Sequence, residues 1–142
     1  MHHFRSTTKY YDQANARDKL RGECTFCTEE TYENIICENG TMFIVPNRVS
    51  YDLFEGLRIN DHLLIIPKRH IQTLEEMTPE EKQDFTELLV RYEGEGYSFY
   101  GRGITNINRS VKHQHTHLLK IDDRKKPRLQ LYLDKPYVLV RF

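Results

Sequence analysis

The chain has 142 residues, equal totals of 21 for Lys+Arg and for Asp+Glu, 38% hydrophobic residues and no Trp. That length lets a single domain bury about two-thirds of its unfolded surface without disulfides. The balanced charge excludes a chain-wide footprint for nucleic acid or an anionic membrane, while leaving a local anion site open. No apolar run approaches the roughly 20 residues of a membrane helix. The opening run MHHFRSTTKYYDQ lacks the apolar core of a signal peptide, so a soluble cytoplasmic protein is expected.

Residues 1–22 are polar and charged, with Tyr10, Tyr11 and Leu20 as the main apolar anchors, and read as an N-terminal arm with one short helix. Cys24-Thr25-Phe26-Cys27 follows. The cysteine total is three, an odd number, and with no export signal this spacing points to metal or redox chemistry ahead of a structural disulfide. Cys37 stands alone and reads as a small buried hydrophobe. Met42-Phe43-Ile44-Val45 is a β-prone run ended by Pro46, and 47–61 is a long polar connection. His62-Leu63-Leu64-Ile65-Ile66 is rich in branched residues and stopped by Pro67, the pattern of a buried strand.

Thr78 followed by Pro79, with Glu81 three residues after the threonine, combines an N-cap, a first-turn proline and a capping box. Phe85, Leu88, Leu89 and Tyr92 then form one helical stripe, ended by Gly94 and Gly96. The stripe suits either core packing or an interface. Segments 103–108 and 113–121 read as consecutive strands joined by a turn near Arg109, and 122–127 as a charged linker. Segments 128–133 and 137–142 alternate around Asp134-Lys135-Pro136 and predict a hairpin packed on the domain. The architecture expected is α+β: a mainly antiparallel sheet of about five strands, one main helix and the short N-terminal one.

His113, His115 and His117 recur at every second residue. Strand periodicity puts three such imidazoles on one face, roughly 7 Å apart. Histidine serves as metal ligand, general acid or base, or nucleophile, so three in register point to a site. The Cys24/Cys27 pair has several readings. A redox pair calls for a βαβ context that is not apparent. A zinc finger calls for two closely spaced histidines about 12–15 residues on, which are missing. A zinc site completed by His70 and one histidine of the triad is open, as are ordinary cysteines. Such a closed four-ligand zinc is structural. His62 and His70 flank the 63–69 segment and, taken singly, read as strand-end histidines.

These motifs together resemble the histidine triad (HIT) superfamily. His62-Leu-Leu-Ile-Ile-Pro-Lys-Arg-His70 resembles its GH-LVIPK-H segment, and Ser110-Val-Lys-His113-Gln-His115-Thr-His117 its S/T-V-x-H-x-H-x-H signature. Cys24-Thr-Phe-Cys27 looks like the CxFC of the zinc-bearing branch. The resemblance spans 23–121, leaving 1–22 as an arm and 122–142 as a C-terminal extension. It implies a HIT-like fold and a nucleotide phosphohydrolase or nucleotidyl transferase acting at the α-phosphate. Substrates of that class are nucleoside phosphoramidates or dinucleoside polyphosphates. His115 matches the nucleophile that forms a nucleotidyl-histidine, with His117 and His62 orienting or polarising. Ser110 matches a phosphate-contacting residue, Asn47 one that holds the ribose, and Asn106 and Asn108 stand where an amide role falls. Structural Zn2+ falls on Cys24, Cys27, His70 and His113. A homodimer is implied; a weaker reading, by likeness to a DNA-deadenylating branch of the superfamily, is opposed by the zero net charge, and no membrane partner is expected. The alternative is a zinc-stabilised nucleotide-binding module without turnover. Against the family pattern, Asp61 replaces a glycine, the connection from Asn47 to His62 is longer, and the Gly-rich turn before Ser110 is missing. The polar Gln114 and Thr116 predict an opposite face that is less buried or meets a partner.

Overall fold

The apolar runs at 42–45 and 62–66 become neighbouring strands of one sheet. The computed structural model describes residues 3, 7–10, 12–13, 22 and 24–122, together with the backbone of 128–132 and 137–141. Strands β1 (Cys37–Asn39), β2 (Met42–Pro46), β3 (Leu53–Phe54), β4 (Leu57–Pro67), β5 (Ser98–Tyr100) and β6 (Thr116–Ile121) form a six-stranded sheet of order β1-β2-β4-β6-β5, with β3 pairing β4. Every pairing is antiparallel. Helix α1 (Glu29–Glu33) follows a 3-10 turn at Thr25–Cys27, and α2 (Pro79–Gly94) is the main helix. Residues 7–10 and 12–13 are also helical. The α+β architecture with an antiparallel sheet and one main helix is therefore the one that forms. Arg128–Tyr132 and Tyr137–Arg141 pair antiparallel as a separate two-stranded sheet, β7 and β8. The expected packing of that hairpin on the domain, and most of the 1–22 arm, lie outside the described residues.

Alternation along β4 splits its side chains between two layers. Leu63 and Ile65 join Met42, Ile44 and Leu118 in a core beneath α2, closed by Leu88 and Tyr92 of the helix. Leu88 is 2% exposed, and burial of such a side chain contributes roughly 2–3 kcal/mol. Phe85 and Leu89 pack against the same cluster, so the apolar stripe serves the core. On the other face Leu64 and Ile66 join Phe43, Val45 and Phe26, which places the cysteine-bearing turn opposite α2.

Both ends of α2 are built as the local sequence predicts. Thr78 Oγ1 accepts from the Glu81 N–H at 3.1 Å, and the Glu81 carboxylate accepts from the Thr78 N–H at 2.8 Å. Glu81 also takes two bonds from the Arg69 guanidinium, at 2.8 and 3.0 Å, which hold its carboxyl below the usual range. That pairing ties the helix start to the residue beside His70. At the other end Gly96 adopts φ +88, and the Gly96 and Tyr97 N–H groups donate to the Glu93 and Tyr92 carbonyls, the two bonds of a Schellman motif.

Gly40 occupies the first central position of the two-residue β1–β2 turn at φ +51. Asp84 of α2 accepts from the Thr41 N–H and hydroxyl, both at 2.7 Å, so a Cβ on Gly40 would collide with its carboxylate. Gly40→Ala is therefore expected to lower the unfolding free energy by about 1–3 kcal/mol, read from the urea midpoint.

Five expectations are corrected. Segment 103–108 is irregular, and the strand lies earlier, at β5. The reason is Arg109, whose guanidinium donates to the carbonyls of Gln72, Lys112, Val111 and Arg102 and so folds the loop around itself. β6 starts at Thr116, so His113 and His115 precede the strand. The β4–β6 ladder stops at the Ile65/Thr116 pair, because Pro67 has no N–H to offer and the Gln114 N–H donates to Ile71 instead. The connection after Asn47 contains the β3–β4 hairpin, and β4 begins at Leu57, before His62. Gln114 and Thr116 are buried, 7% and 6% exposed, and Gln114 Oε1 accepts from Arg109 at 3.2 Å. Cys37 is half-buried, because it sits on the edge strand β1.

Candidate active site and metal site

The sheet and the cysteine turn bring two groups of residues together. Cys24, Cys27, His70 and His113 present donor atoms that all lie within 4.8 Å of one another. His113 Nδ1 is 3.5 Å from both sulfurs, and His70 Nδ1 is 3.4 Å from the Cys27 sulfur. A tetrahedron with Zn–S of about 2.3 Å and Zn–N of about 2.1 Å has sulfur–nitrogen edges of about 3.6 Å. The four residues thus fit zinc by donor type and by spacing. His113 is 1% exposed, and its Nε2–H donates to the Pro67 carbonyl at 3.0 Å. A carbonyl only accepts, so the proton sits on Nε2 and the Nδ1 lone pair faces the sulfurs, the second-sphere arrangement typical of a ligating histidine. Burial also lowers the His113 pKa, favouring the neutral, ligating form.

His115 and His117 line a cleft of about 280 Å³ together with Asn47 and Ser110, and the Thr25-Phe26 turn forms one wall. Phe26 lies between the two groups, its ring 6.0 Å from His113 and 5.1 Å from His115. The side chain between the two cysteines therefore packs directly on the cleft histidine.

Hydrogen bonds determine the proton on each ring. His115 Nδ1–H donates to the His113 carbonyl at 2.8 Å, which leaves a lone pair on Nε2. Burial first, then the Arg109 and Arg102 charges, push the His115 pKa down to about 4, so the ring is neutral at neutral pH. His62 is 3% exposed and lies behind the cleft. Its Nδ1 accepts from the Tyr51 backbone N–H at 2.9 Å, so its proton is on Nε2. That proton points to His117 Nδ1 at 2.8 Å, and His117 in turn carries its own proton on Nε2. The Tyr51 ring stacks on His117 at 5.2 Å. The result is a lone pair on His115 beside an N–H donor on His117, an arrangement suited to nucleophilic attack with proton delivery to a departing group.

The Asn47 amide nitrogen lies 3.1 Å from His62 Nε2 and 3.3 Å from Nδ1, and the Asn47 N–H donates to the His62 carbonyl. Asn106 and Asn108 are exposed and lie outside the cleft lining; the Asn106 side chain accepts from the Asn108 N–H at 2.9 Å. Asp61, in place of glycine, accepts from the His62 N–H at 2.8 Å and from the Tyr97 hydroxyl at 2.5 Å, next to a register shift in β4. It thereby satisfies a backbone donor at the irregularity just before His62.

Sequence reasoning passed over Tyr51, Arg102 and Arg109. Tyr51 supplies both the ring on His117 and the N–H that sets the His62 tautomer. Arg102 lines the cleft, and Arg109 holds the loop that carries Ser110. The glycines flanking Arg102 and the position of Arg109 beside Ser110 were the available signals. Neither distinguishes a built-in arginine from a solvated one.

The chain's similarities agree with this geometry. The HIT domain family matches across 57–123, the stretch that runs from the start of β4 to the end of β6. None of the curated proteins matches the sequence. Solved structures with the same fold include a HIT family hydrolase from Clostridium thermocellum, at 22% identity and a TM-score of 0.52 over 72% of this chain and 94% of that one. A hypothetical protein from Leishmania major reaches a TM-score of 0.56 at 21% identity, over 83% of this chain and 86% of its own. A histidine triad nucleotide-binding protein from Candida albicans has a TM-score of 0.50 at 21% identity, over 71% and 77%. At these identities the likeness establishes the fold. His62, His70, Ser110 and the triad fall inside the stretch that matches, whereas Cys24, Cys27 and Asn47 precede it. No helix among the described residues is long and apolar enough to cross a membrane.

Proposed function

We propose that this protein is a nucleotide phosphohydrolase or nucleotidyl transferase of the HIT class, acting at the α-phosphorus through a nucleotidyl-His115 intermediate. The observation that carries this reading is the pairing of tautomers: His115 is held with its Nε2 lone pair available, and His117 is held with its proton on Nε2. His115 Nε2 attacks phosphorus and the bond to the leaving group breaks, its proton supplied by His117. Water then attacks, the P–N bond breaks, and the electron pair returns to His115. Splitting the reaction at a covalent histidine replaces one difficult displacement with two easier ones.

In this reading His62 positions His117, Ser110 supports the phosphate oxygens, and Asn47 faces the ribose. Asn106 and Asn108 hold the loop that carries Ser110 and are not required to touch substrate. Cys24, Cys27, His70 and His113 hold structural zinc, whose closed ligand set supplies rigidity to the wall formed by Thr25 and Phe26. The substrates are nucleoside phosphoramidates or dinucleoside polyphosphates. Three free cysteines, two of them committed to metal, suit a reducing cytoplasm. A homodimer through the sheet edge is supported by β5, an edge strand whose Phe99 is 53% exposed, and by Val90 of α2 at 64%.

The test is release of AMP from adenosine 5′-phosphoramidate and from diadenosine triphosphate. Rapid quenching should recover a protein-bound nucleotide that is lost on acid treatment and survives base, as a phosphorus–imidazole bond requires. Nucleotide binding with no turnover and no adduct would instead leave a zinc-stabilised binding module.

A further inference from the structure

The cleft carries a cation that the chemistry above does not use. Arg102 follows β5, is half-buried, and lines the cleft alongside His115, His117 and Ser110. Its guanidinium carbon lies 5.8 Å from the ring centres of both Tyr51 and Tyr100. Those two rings lie 5.2 and 5.9 Å from the His117 ring. Arg102 is therefore held by cation–π contact with the same aromatic pair that flanks the proton donor. Its carbonyl is tied to the Arg109 guanidinium at 3.5 Å, which anchors its backbone to the loop carrying Ser110. Among the described residues no carboxylate lies within ion-pair distance of the Arg102 guanidinium. The charged lining comprises Arg48, Arg102 and Glu30, so the cleft has an excess of positive charge.

An arginine fixed by two aromatic faces and matched by no acid among the described residues is a preorganised anion subsite. Its planar fork suits phosphate oxygens, and little side-chain freedom remains to be lost on binding. In the catalytic reading the α-phosphate sits between His115 and His117, so an anion beside the His117 flank belongs to the leaving group that His117 protonates. We propose that Arg102 binds the phosphate adjacent to the α-phosphate and directs this site toward substrates whose leaving group is itself a phosphate, nucleoside diphosphates and dinucleoside polyphosphates, over those with an amine leaving group. The inference rests on the catalytic reading above for its orientation, and its binding arm stands apart from turnover.

His115 Nε2 forms the P–N bond, and the bond from α-phosphorus to the bridging oxygen breaks with its electron pair going to that oxygen. His117 Nε2–H supplies a proton to the departing phosphate, and Arg102 offsets its remaining charge. Water then forms the new P–O bond, the P–N pair returns to His115, and a water proton restores His117.

The experiment compares Arg102→Met and Arg102→Lys with the unmodified protein. Calorimetry, with His115→Ala added to each protein so that ADP is not consumed, gives the ratio of AMP to ADP dissociation constants, and kinetics with His115 intact give the ratio of kcat/KM for diadenosine triphosphate to that for adenosine 5′-phosphoramidate. The unmodified protein should bind ADP more tightly than AMP. Both ratios should fall by about 10- to 100-fold in Arg102→Met, the worth of a charge-assisted phosphate contact, and by less in Arg102→Lys. A purely structural role for Arg102, or contact with the α-phosphate, would weaken both ligands together and leave the ratios unchanged, which overturns the proposal. An ADP preference that depends on Arg102 in a protein that turns over neither substrate would support the subsite and sink the catalytic reading. AMP release with no ADP preference would do the reverse.

Discussion

His115→Ala is expected to abolish AMP release while leaving the cleft able to bind nucleotide. Removing a covalent nucleophile from a built site lowers kcat by about 10⁴-fold or more, because the remaining groups only position the substrate. Here the loss should be that large for every substrate, since in the proposed mechanism both half-reactions pass through His115 Nε2. The AMP dissociation constant should change by less than about tenfold, since in the proposed mechanism Ser110 and His117 still face the ground-state phosphate. Stability should fall only modestly, because the ring contacts Phe26 at one edge and gives up a single hydrogen bond to the His113 carbonyl. The measurement is steady-state AMP release beside calorimetric AMP binding on the same preparation. A variant that keeps more than about a tenth of the activity would move the nucleophile elsewhere.

The second large effect is on folding. Cys24→Ala removes a sulfur that lies 3.5 Å from His113 Nδ1 and should take bound zinc from one ion per chain to nearly none, measured by elemental analysis. Structural zinc binding supplies about 10–16 kcal/mol in small domains, so losing even part of it should lower unfolding stability by at least about 3 kcal/mol. A chelator should destabilise the unmodified protein by a similar amount and leave Cys24→Ala unchanged, because metal bound only by the folded state adds to its stability. The change should also reach the cleft. Phe26 sits between the two cysteines and packs on His115, so loss of the metal should loosen the wall and lower kcat as well. Protein purified without zinc, indifferent to chelator, and within about 0.5 kcal/mol of the cysteine variant would mean that the cluster is not a metal centre.

Some features were plain in the sequence because they rest on near neighbours. The α2 start needs only Thr78, Pro79 and Glu81, and β4 needs only a contiguous branched run before Pro67. Both form as the sequence predicts. The two-residue spacing of the histidines was equally visible, although the strand meant to explain it begins only at Thr116. What sorts the histidines is a ladder that stops at Ile65/Thr116 and a carbonyl on Pro67, neither of which spacing encodes. The 101–115 loop has no legible sequence signature for a similar reason. Its shape comes from one arginine gathering carbonyls as far away as Gln72, a bond across 37 residues with no local signature.

The sequence by itself determined the chemical inventory: imidazoles, thiols and a hydroxyl in an order and spacing that resemble those of the HIT superfamily, on elements set by local caps and apolar runs. The tertiary structure decided which nitrogen of each imidazole holds the proton. For His115 that choice is nearly local, a carbonyl two residues away. For His62 and His117 it depends on the Tyr51 N–H, and for His113 on the Pro67 carbonyl. Imidazole has two nearly equivalent nitrogens, so its role as nucleophile, donor or ligand is settled by the hydrogen-bonding group the fold places against one of them.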